Sequence, residues 1–471
     1  MNRAYYWFAI FITALAFFIS LVQSLFYFQI GRPLYTLQSF SSWYALSMII
    51  NFVAALVILK YYHFRQYRLA LGGGIIAAIA QTCFALLVYG IMMGMDWAQY
   101  YLPTYMVTLG AGILYAVTLV LAPAGKRPWL RITGSLMLIV GSILLVAVAS
   151  LALQSINYVE VERIHQWTSQ ATMFIPGLIM MNFFAELKQL KEERADSSGS
   201  KTLETIMKVV GLIMLFFTLF EAAKFSMESL GAVAWSRQAP ERIKRLAEPF
   251  EARTYVSATN GTLLYRFMRP ADYDSTKTYP IVICLHHGGT HGNDNMKQID
   301  GSPIAQVLSA DGNRQKYPAF LFVPQSPEGV GWGGVPTLPS IDSLVFEGLK
   351  AFEKEFSIDK GRRYVIGVSG GGYGSWHFIC SRPEMFAAAV PICGGTKPQL
   401  APRITDVPVW AFHGAQDRNV PVRHSRDMIE AIKEAGGDPR YTEFPDHAHN
   451  IWPQVIQTEG LLEWMFEQRR N

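Results

Sequence analysis

The chain has 471 residues, of which 51% are hydrophobic, with 41 Lys and Arg set against 36 Asp and Glu. That length exceeds one ordinary domain, and a net charge of +5 without a dense basic stripe argues against nucleic acid as a partner. The averages hide a sharp division, because almost every Asp, Glu and His lies beyond residue 185.

From the N-terminus, apolar runs occupy approximately residues 5–28, 43–60, 69–95, 105–122, 132–153, 168–185 and 204–225. Each approaches the roughly 20 residues that a helix needs to cross a ~30 Å hydrocarbon core. They are hydrophobic all round rather than along one stripe, unlike amphipathic helices of soluble domains. The first is too long for the apolar region of a signal peptide, and no small-residue cleavage site follows it. The sequence therefore predicts a multi-pass integral membrane protein. A seven-helix transmembrane bundle is expected over residues 1–225 and a charged juxtamembrane linker or short helix over 226–249.

Lys60, Arg65, Arg68, Lys126, Arg127, Arg131, Lys188, Lys191, Arg194 and Lys201 gather in alternate loops. The positive-inside rule puts those loops in the cytoplasm and, with seven spans, the C-terminal half on the extracytoplasmic side. Ionisable residues are scarce at the centres of the spans, which argues against an ion pump or proton-coupled transporter. An anchor, or a lipid-handling or sensing bundle, is the expectation. Trp43, Trp97, Tyr100, Tyr101, Trp129 and Trp167, near span ends, suit interfacial aromatic belts.

Beyond residue 250 the pattern becomes one of short apolar runs alternating with amphipathic stretches. Residues 279–285, 319–323, 363–367 and 407–412 read as strands buried on both faces, and 341–356 and 425–435 as helices. Such alternation implies a mainly parallel sheet covered on both sides, an α/β unit over residues 250–471.

The chemistry centres on Gly367-Val368-Ser369-Gly370-Gly371, a G-x-S-x-G pattern between an apolar strand and a helix-compatible run. A nucleophilic Ser on a sharp strand-to-helix turn needs small neighbours, so that the backbone can bend and a substrate can approach. Downstream, VWAFHGAQD ends in the carboxylate of Asp417, and YTEFPDHAHNIW carries His447 and His449. Serine, acid and histidine thus arrive in the chain order that lets a His act as base for Ser369 and an Asp hold its tautomer. Upstream, CLHHGG follows a strand and can aim a backbone N–H at a developing oxyanion, with the N–H of Gly370 as second donor. His413 reads as a packed residue rather than a catalytic one.

The segments YPIVICLHHGGTHGNDN, VPQSPEG, YVIGVSGGGYGSW, FAAAVPICGG, VPVWAFHGAQDRNVPV and YTEFPDHAHNIW together resemble the polyhydroxybutyrate-depolymerase and feruloyl-esterase-like group of α/β-hydrolases, often described as esterases or peptidases. The resemblance covers nearly half the chain. It implies an α/β-hydrolase fold and a serine esterase, with Ser369 as nucleophile, Asp417 as acid and His449, followed by Asn450 and then Trp452, as base. His287 stands where the group has a glycine, so the second oxyanion donor is left between His287 and Gly288. Trp332, in GVGWGG, is a candidate for the wall of the substrate cleft. The mechanism calls for no metal or cofactor. Acylated sugars, aryl esters, hydroxyacid oligomers and lipid esters are all compatible substrates, and a membrane anchor favours envelope glycan or lipid. A peptidase with the same triad is the alternative within enzymes. A receptor or transporter with a non-catalytic hydrolase-fold domain is the alternative outside them. Cys83, Cys284, Cys380 and Cys393 show no disulfide spacing and are expected as buried free thiols.

Overall fold

The computed structural model describes residues 3–31, 34–35, 37–93, 95, 97–122, 128–152, 158–192, 201–335 and 338–470. Lys126, Arg127, Arg194 and most of the polar segment 191–201 lie outside them. Contacts divide the chain into two units, Met1–Arg237 and Gln238–Asn471.

The first unit is built from α1 (Arg3–Ile30), α2 (Phe40–Phe64), α3 (Arg68–Met92), α4 (Tyr101–Val120), α5 (Pro128–Ala152), α6 (Tyr158–Thr172), α7 (Ile175–Glu192) and most of α8 (Lys201–Ala247). Among the described residues, six helices are long and apolar enough to cross a membrane: α1 to α5 and α8. The remaining expected span, 168–185, is broken in two. Pro176 has no N–H to donate into the preceding turn and its ring opposes the carbonyl four residues back. The helix accordingly stops at Thr172, turns at Met173–Phe174 and restarts as the 18-residue α7. The two pieces together follow α1 in the opposite direction. His165 meets Tyr27, Ser24 bonds the Ser169 carbonyl, Phe174 packs on Phe17, and Phe183 packs on Tyr6.

Two further expectations are corrected here. Residues 226–247 form no linker but continue α8, which is 47 residues long and, at about 1.5 Å per residue, spans about 70 Å. That is more than twice a ~30 Å hydrocarbon core, so only part of α8 can lie in one. Trp43 is not at an interface: it is fully buried and stacks on Phe225 with ring centroids 4.9 Å apart. Trp97, Tyr100, Tyr101 and Trp167 are exposed, as an aromatic belt requires. Helices approach closely where a side chain is missing. A Cβ on Gly134 of α5 would lie 2.7 Å from the Ala116 carbonyl oxygen of α4.

The second unit carries an eight-stranded sheet in the order β1-β2-β4-β3-β5-β6-β7-β8. Its strands are β1 (Glu251–Val256), β2 (Thr262–Met268), β3 (Tyr279–Leu285), β4 (Phe320–Gln325), β5 (Ile358–Val368), β6 (Ala388–Ile392), β7 (Trp410–Gly414) and β8 (Arg440–Phe444). β1 and β2 pair antiparallel at one edge, and β4 through β8 run parallel with β3. Connecting helices are α9 (Lys297–Asp300), α10 (Pro303–Ser309), α11 (Asp311–Lys316), α12 (Asp342–Glu355), α13 (Gly370–Ser381), α14 (Arg423–Glu434), α15 (Trp452–Ile456) and α16 (Leu461–Glu467). β3, β4 and β6 are buried along their whole length, which is why their sequences are continuously apolar instead of alternating. Two apolar layers result, one containing Phe267, Phe320, Phe322, Phe352 and Trp376, the other Val282, Ile366, Val390, Phe412 and Trp464. This mixed sheet flanked by helices fits the α/β-hydrolase architecture.

Register fixes where the site forms. Leu285 pairs with Gly367, Val368 with Ile392, Ile392 with Phe412, and Gly414 with Phe444. The C-terminal ends of β3, β5, β6, β7 and β8 are therefore level, and the residues that follow each strand emerge along one edge. Strand order also reverses at β3 and β5, which is where ligands bind in open parallel sheets.

Candidate active site

Ser369 is the first residue past β5 and has φ 55 and ψ −112, a conformation that L-residues avoid unless their surroundings impose it. Its N–H donates to the Ile392 carbonyl at 2.8 Å, and its carbonyl accepts from Tyr373 at 3.0 Å, opening α13. The glycines of the motif are needed for steric reasons. A Cβ on Gly367 would lie 2.1 Å from the Gly371 carbonyl oxygen, and one on Gly371 would lie 2.1 Å from that of Leu285.

Opposite the Ser369 hydroxyl, 2.9 Å away, lies Nε2 of His449, in the loop after β8. Its Nδ1 is 2.6 Å from Oδ2 of Asp417, in the loop after β7. A carboxylate can only accept, so Nδ1 carries the proton and Nε2 presents its lone pair to the hydroxyl. Asp417 is itself held. Its Oδ1 accepts the N–H groups of Asn419 and Val420, both at 2.9 Å, and Nε2 of His413 lies 3.2 Å from its Oδ2. Burial alone would raise the Asp417 pKa. The hydrogen bonds from His413 and His449 overcome that and hold the carboxyl well below the usual carboxylate range. The two loops are laced together, Ala415 N–H to the Phe444 carbonyl at 3.0 Å and Gln416 N–H to that of His447 at 2.9 Å. Gly414 admits this approach, since a Cβ there would lie 2.1 Å from the Ala448 carbonyl oxygen.

Of the two histidines in that loop, His449 therefore faces both Ser369 and Asp417, while the His447 ring packs against Phe444. His413 is fully buried, with Nδ1 2.7 Å from the Ser425 hydroxyl and Nε2 2.9 Å from the Val420 carbonyl. Sequence reading treated it only as packing. The signal available was its position four residues before Asp417 on the same strand-to-loop turn.

The loop after β3 brings HHGG beside Ser369. A Cβ on Gly370 would sit 3.3 Å from the Gly288 nitrogen, so the backbones of these two residues are adjacent. The His287 N–H is already donated to the Gly301 carbonyl at 3.2 Å, whereas no acceptor is recorded for that of Gly288 among the described residues. His287 contributes its ring instead: Nδ1 accepts the Gly289 N–H at 3.0 Å, and burial lowers its pKa to about 4. Beneath it His286 is fully buried. Its Nε2 accepts the Ser326 N–H at 3.0 Å and its Nδ1 donates to the His287 carbonyl at 2.8 Å. That pattern needs the neutral ring, and burial lowers its pKa to about 3.

Trp332 does not line a cleft. It is 1% exposed, its indole N–H donates to the His286 carbonyl at 3.0 Å, and its ring packs edge-on against His286. The free space expected beside it is taken by Gly374, where an added Cβ would lie 2.5 Å from the Trp332 Cβ. Cys284, Cys380 and Cys393 are buried free thiols and Cys83 is an exposed one. Possible metal donors of Cys393, Asp417 and His449 lie within 4.8 Å of one another. Asp417 and His449 spend theirs on each other, and burial pushes the Cys393 thiol up, away from the thiolate a metal would take.

No family model matches the chain. A probable feruloyl esterase C of Aspergillus niger is 25% identical over 193 residues, 41% of this chain and 68% of that protein. Feruloyl-esterase-like and peptidase-like α/β-hydrolase relatives cover the C-terminal half. An uncharacterized peptidase of Bacillus subtilis, YuxL, is 22% identical over 229 residues, 39% of this chain and 33% of its own length. Among solved structures, a thermostable esterase is 34% identical, with 48% of this chain and 64% of that chain covered and a TM-score of 0.45. The chain spans from 25% to 68% of the length of the first curated relatives it matches. The relatives support a hydrolase.

Proposed function

We propose that the protein is a membrane-anchored serine esterase. The observation that carries this reading is the unbroken series Asp417–His449–Ser369, with bonds of 2.6 and 2.9 Å ending on a residue at φ 55. His449 takes the Ser369 proton as Oγ attacks the ester carbonyl, and Asp417 stabilises the imidazolium. The N–H groups of Gly370 and Gly288 receive the oxyanion. The imidazolium returns its proton to the leaving alcohol. Water, deprotonated by the same His449, then releases the acid from the acyl-enzyme.

The substrate class is a carboxylic ester, with envelope glycan or lipid esters favoured by the anchor. If the α6–α7 pair counts as a seventh crossing, the C-terminal half lies opposite the basic loops, on the extracytoplasmic side. Hydrolysis of p-nitrophenyl acetate and butyrate by the full-length protein, beside Ser369→Ala, tests the reading. Turnover that vanishes in the variant supports it. Absence of turnover together with no labelling of Ser369 by a fluorophosphonate rejects it. Cleavage of peptide but not ester substrates would reassign the same residues to a peptidase.

A further inference from the structure

The helical unit contains two adjoining, partly open cavities that an anchor does not require. The larger, of about 470 Å³, is bounded by α1 to α5, α7 and the end of α6, and lined largely by apolar groups such as Ala54, Ile58, Ala78, Ile113, Val140 and Ile179. The smaller, of about 280 Å³, is lined mainly by hydroxyls and amides, among them Ser24, Tyr27, Ser47, Asn51, Thr168 and Ser169. Ser20, Asn51, Leu144 and Thr172 line both, so the two spaces adjoin. Along α1 the lining runs from Thr13 to Tyr27, about 21 Å of helix at ~1.5 Å per residue, longer than half a ~30 Å hydrocarbon core. Gly112 of α4 faces this space, and a Cβ added there meets nothing within 4 Å. Bundles ordinarily close such gaps, because an empty apolar chamber forfeits packing on every wall.

The chemistry of the walls selects the occupant. Among the described residues no Asp, Glu, Lys or Arg lines either chamber. Apart from the His165 ring, which meets the Tyr27 hydroxyl at 3.2 Å, these walls give a buried carboxylate or phosphate ligand no counter-charge. Several hydroxyls of the smaller chamber have spent their protons: Ser24 on the Ser169 carbonyl at 2.9 Å, Ser169 on that of Gln166 at 2.7 Å, Thr168 on that of Ile164 at 2.9 Å, and Tyr27 on the Glu162 carboxylate at 2.5 Å. Asn51 likewise donates to the Ser47 carbonyl at 2.9 Å. What these groups still offer is acceptor lone pairs, which suit a ligand that donates. We infer that the helical unit binds a single-chain amphiphile with an uncharged, hydroxyl-bearing head, of the monoacylglycerol type, its chain in the larger chamber and its head in the smaller. The inference stands apart from the hydrolase reading, since it involves no residue of the C-terminal half.

Full-length protein in nanodiscs, irradiated with a monoacylglycerol carrying a diazirine in mid-chain, tests this directly. Peptide mapping should find the adduct on chamber-lining residues such as Ser20, Ala54 and Leu144. Unlabelled monooleoylglycerol should compete and oleate should not. Gly112→Phe, which fills the larger chamber, and Asn51→Leu, which removes an acceptor from the smaller, should each cut labelling at least tenfold. Size-exclusion profiles would check that the variants remain folded. Labelling confined to outward-facing Ile79, Val107 and Val146, labelling unchanged in both variants, or equal competition by oleate would overturn the inference.

Discussion

Among the described residues each half of the molecule buries one carboxylate, and the two are held differently. Glu186, 2% exposed in α7, is paired with Arg65 and receives the Tyr61 hydroxyl at 2.9 Å and the Tyr6 hydroxyl at 3.4 Å. Arg65 also donates to Tyr6, and Asn182 to Tyr61, so this network ties α1, α2 and α7 together at one end of the bundle. Asp417, 6% exposed, is held as firmly, but one of its donors is an imidazole whose second nitrogen reaches Ser369. A buried, paired carboxylate is thus not a functional signal by itself. The difference is made by an open end that reaches a hydroxyl held on a strained turn.

Substitutions sharpen that contrast, and the largest effect belongs to the open network. Ser369→Ala should lower ester turnover by on the order of 10⁴- to 10⁶-fold, measured as kcat on p-nitrophenyl butyrate, with thermal unfolding unchanged. Asp417→Asn keeps the shape but loses the anion that fixes the His449 tautomer, and should cost on the order of 10⁴-fold in kcat. Retention of most activity would break the distinction between the two carboxylates. Next comes the Glu186 network. Arg65→Leu removes one hydrogen-bonded cation from the buried Glu186 and should destabilise the helical half by about 1–3 kcal/mol. Adding Glu186→Leu should restore much of that loss, and neither change should alter turnover of a small soluble ester. A smaller effect on turnover is expected at His413. His413→Phe removes one hydrogen bond to a charged acceptor, worth about 1.5–3 kcal/mol, and should lower kcat roughly tenfold or somewhat more while KM holds.

The last test is one of pH. His286 and His287 are neutral in the fold, with pKa values lowered to about 3 and about 4, while an unfolded chain protonates them near the ordinary value of about 6.5. The unfolded state therefore binds more protons between those limits. The stabilisation they give is complete above about pH 6.5 and is lost as pH falls towards 4 and 3, at no more than about 1.4 kcal/mol per pH unit for each ring. Protection factors of the β3 and β4 amides in the full-length protein, corrected for the intrinsic pH dependence of exchange, should fall over that window, and His286→Gln should flatten the slope.

Much of this was legible in the chain. Continuous apolar runs marked β3 and β4 because both faces of a parallel strand are buried, and Gly367-Val368-Ser369-Gly370-Gly371 marked the turn because no other residue fits at 367 or 371. Ser369, Asp417 and a loop bearing His447 and His449 were readable from their order and their strand-to-loop settings, and the family resemblance pointed to His449 of the two. Six long apolar helices were readable from hydropathy. What hydropathy could not give was the break at Pro176, the extension of α8 through Pro240 to Ala247, or the burial of Trp43 and Trp332. Each depends on what packs against the segment, and local composition does not record that. The same holds for the choice between His287 and Gly288, decided by where the carbonyl of Gly301 happens to lie, and for the adjoining chambers of the bundle, whose walls come from seven helices. Sequence fixes which groups a segment can offer. Only the tertiary structure decides which donor finds which acceptor, because those partners are brought together across long stretches of chain by sheet register and helix packing.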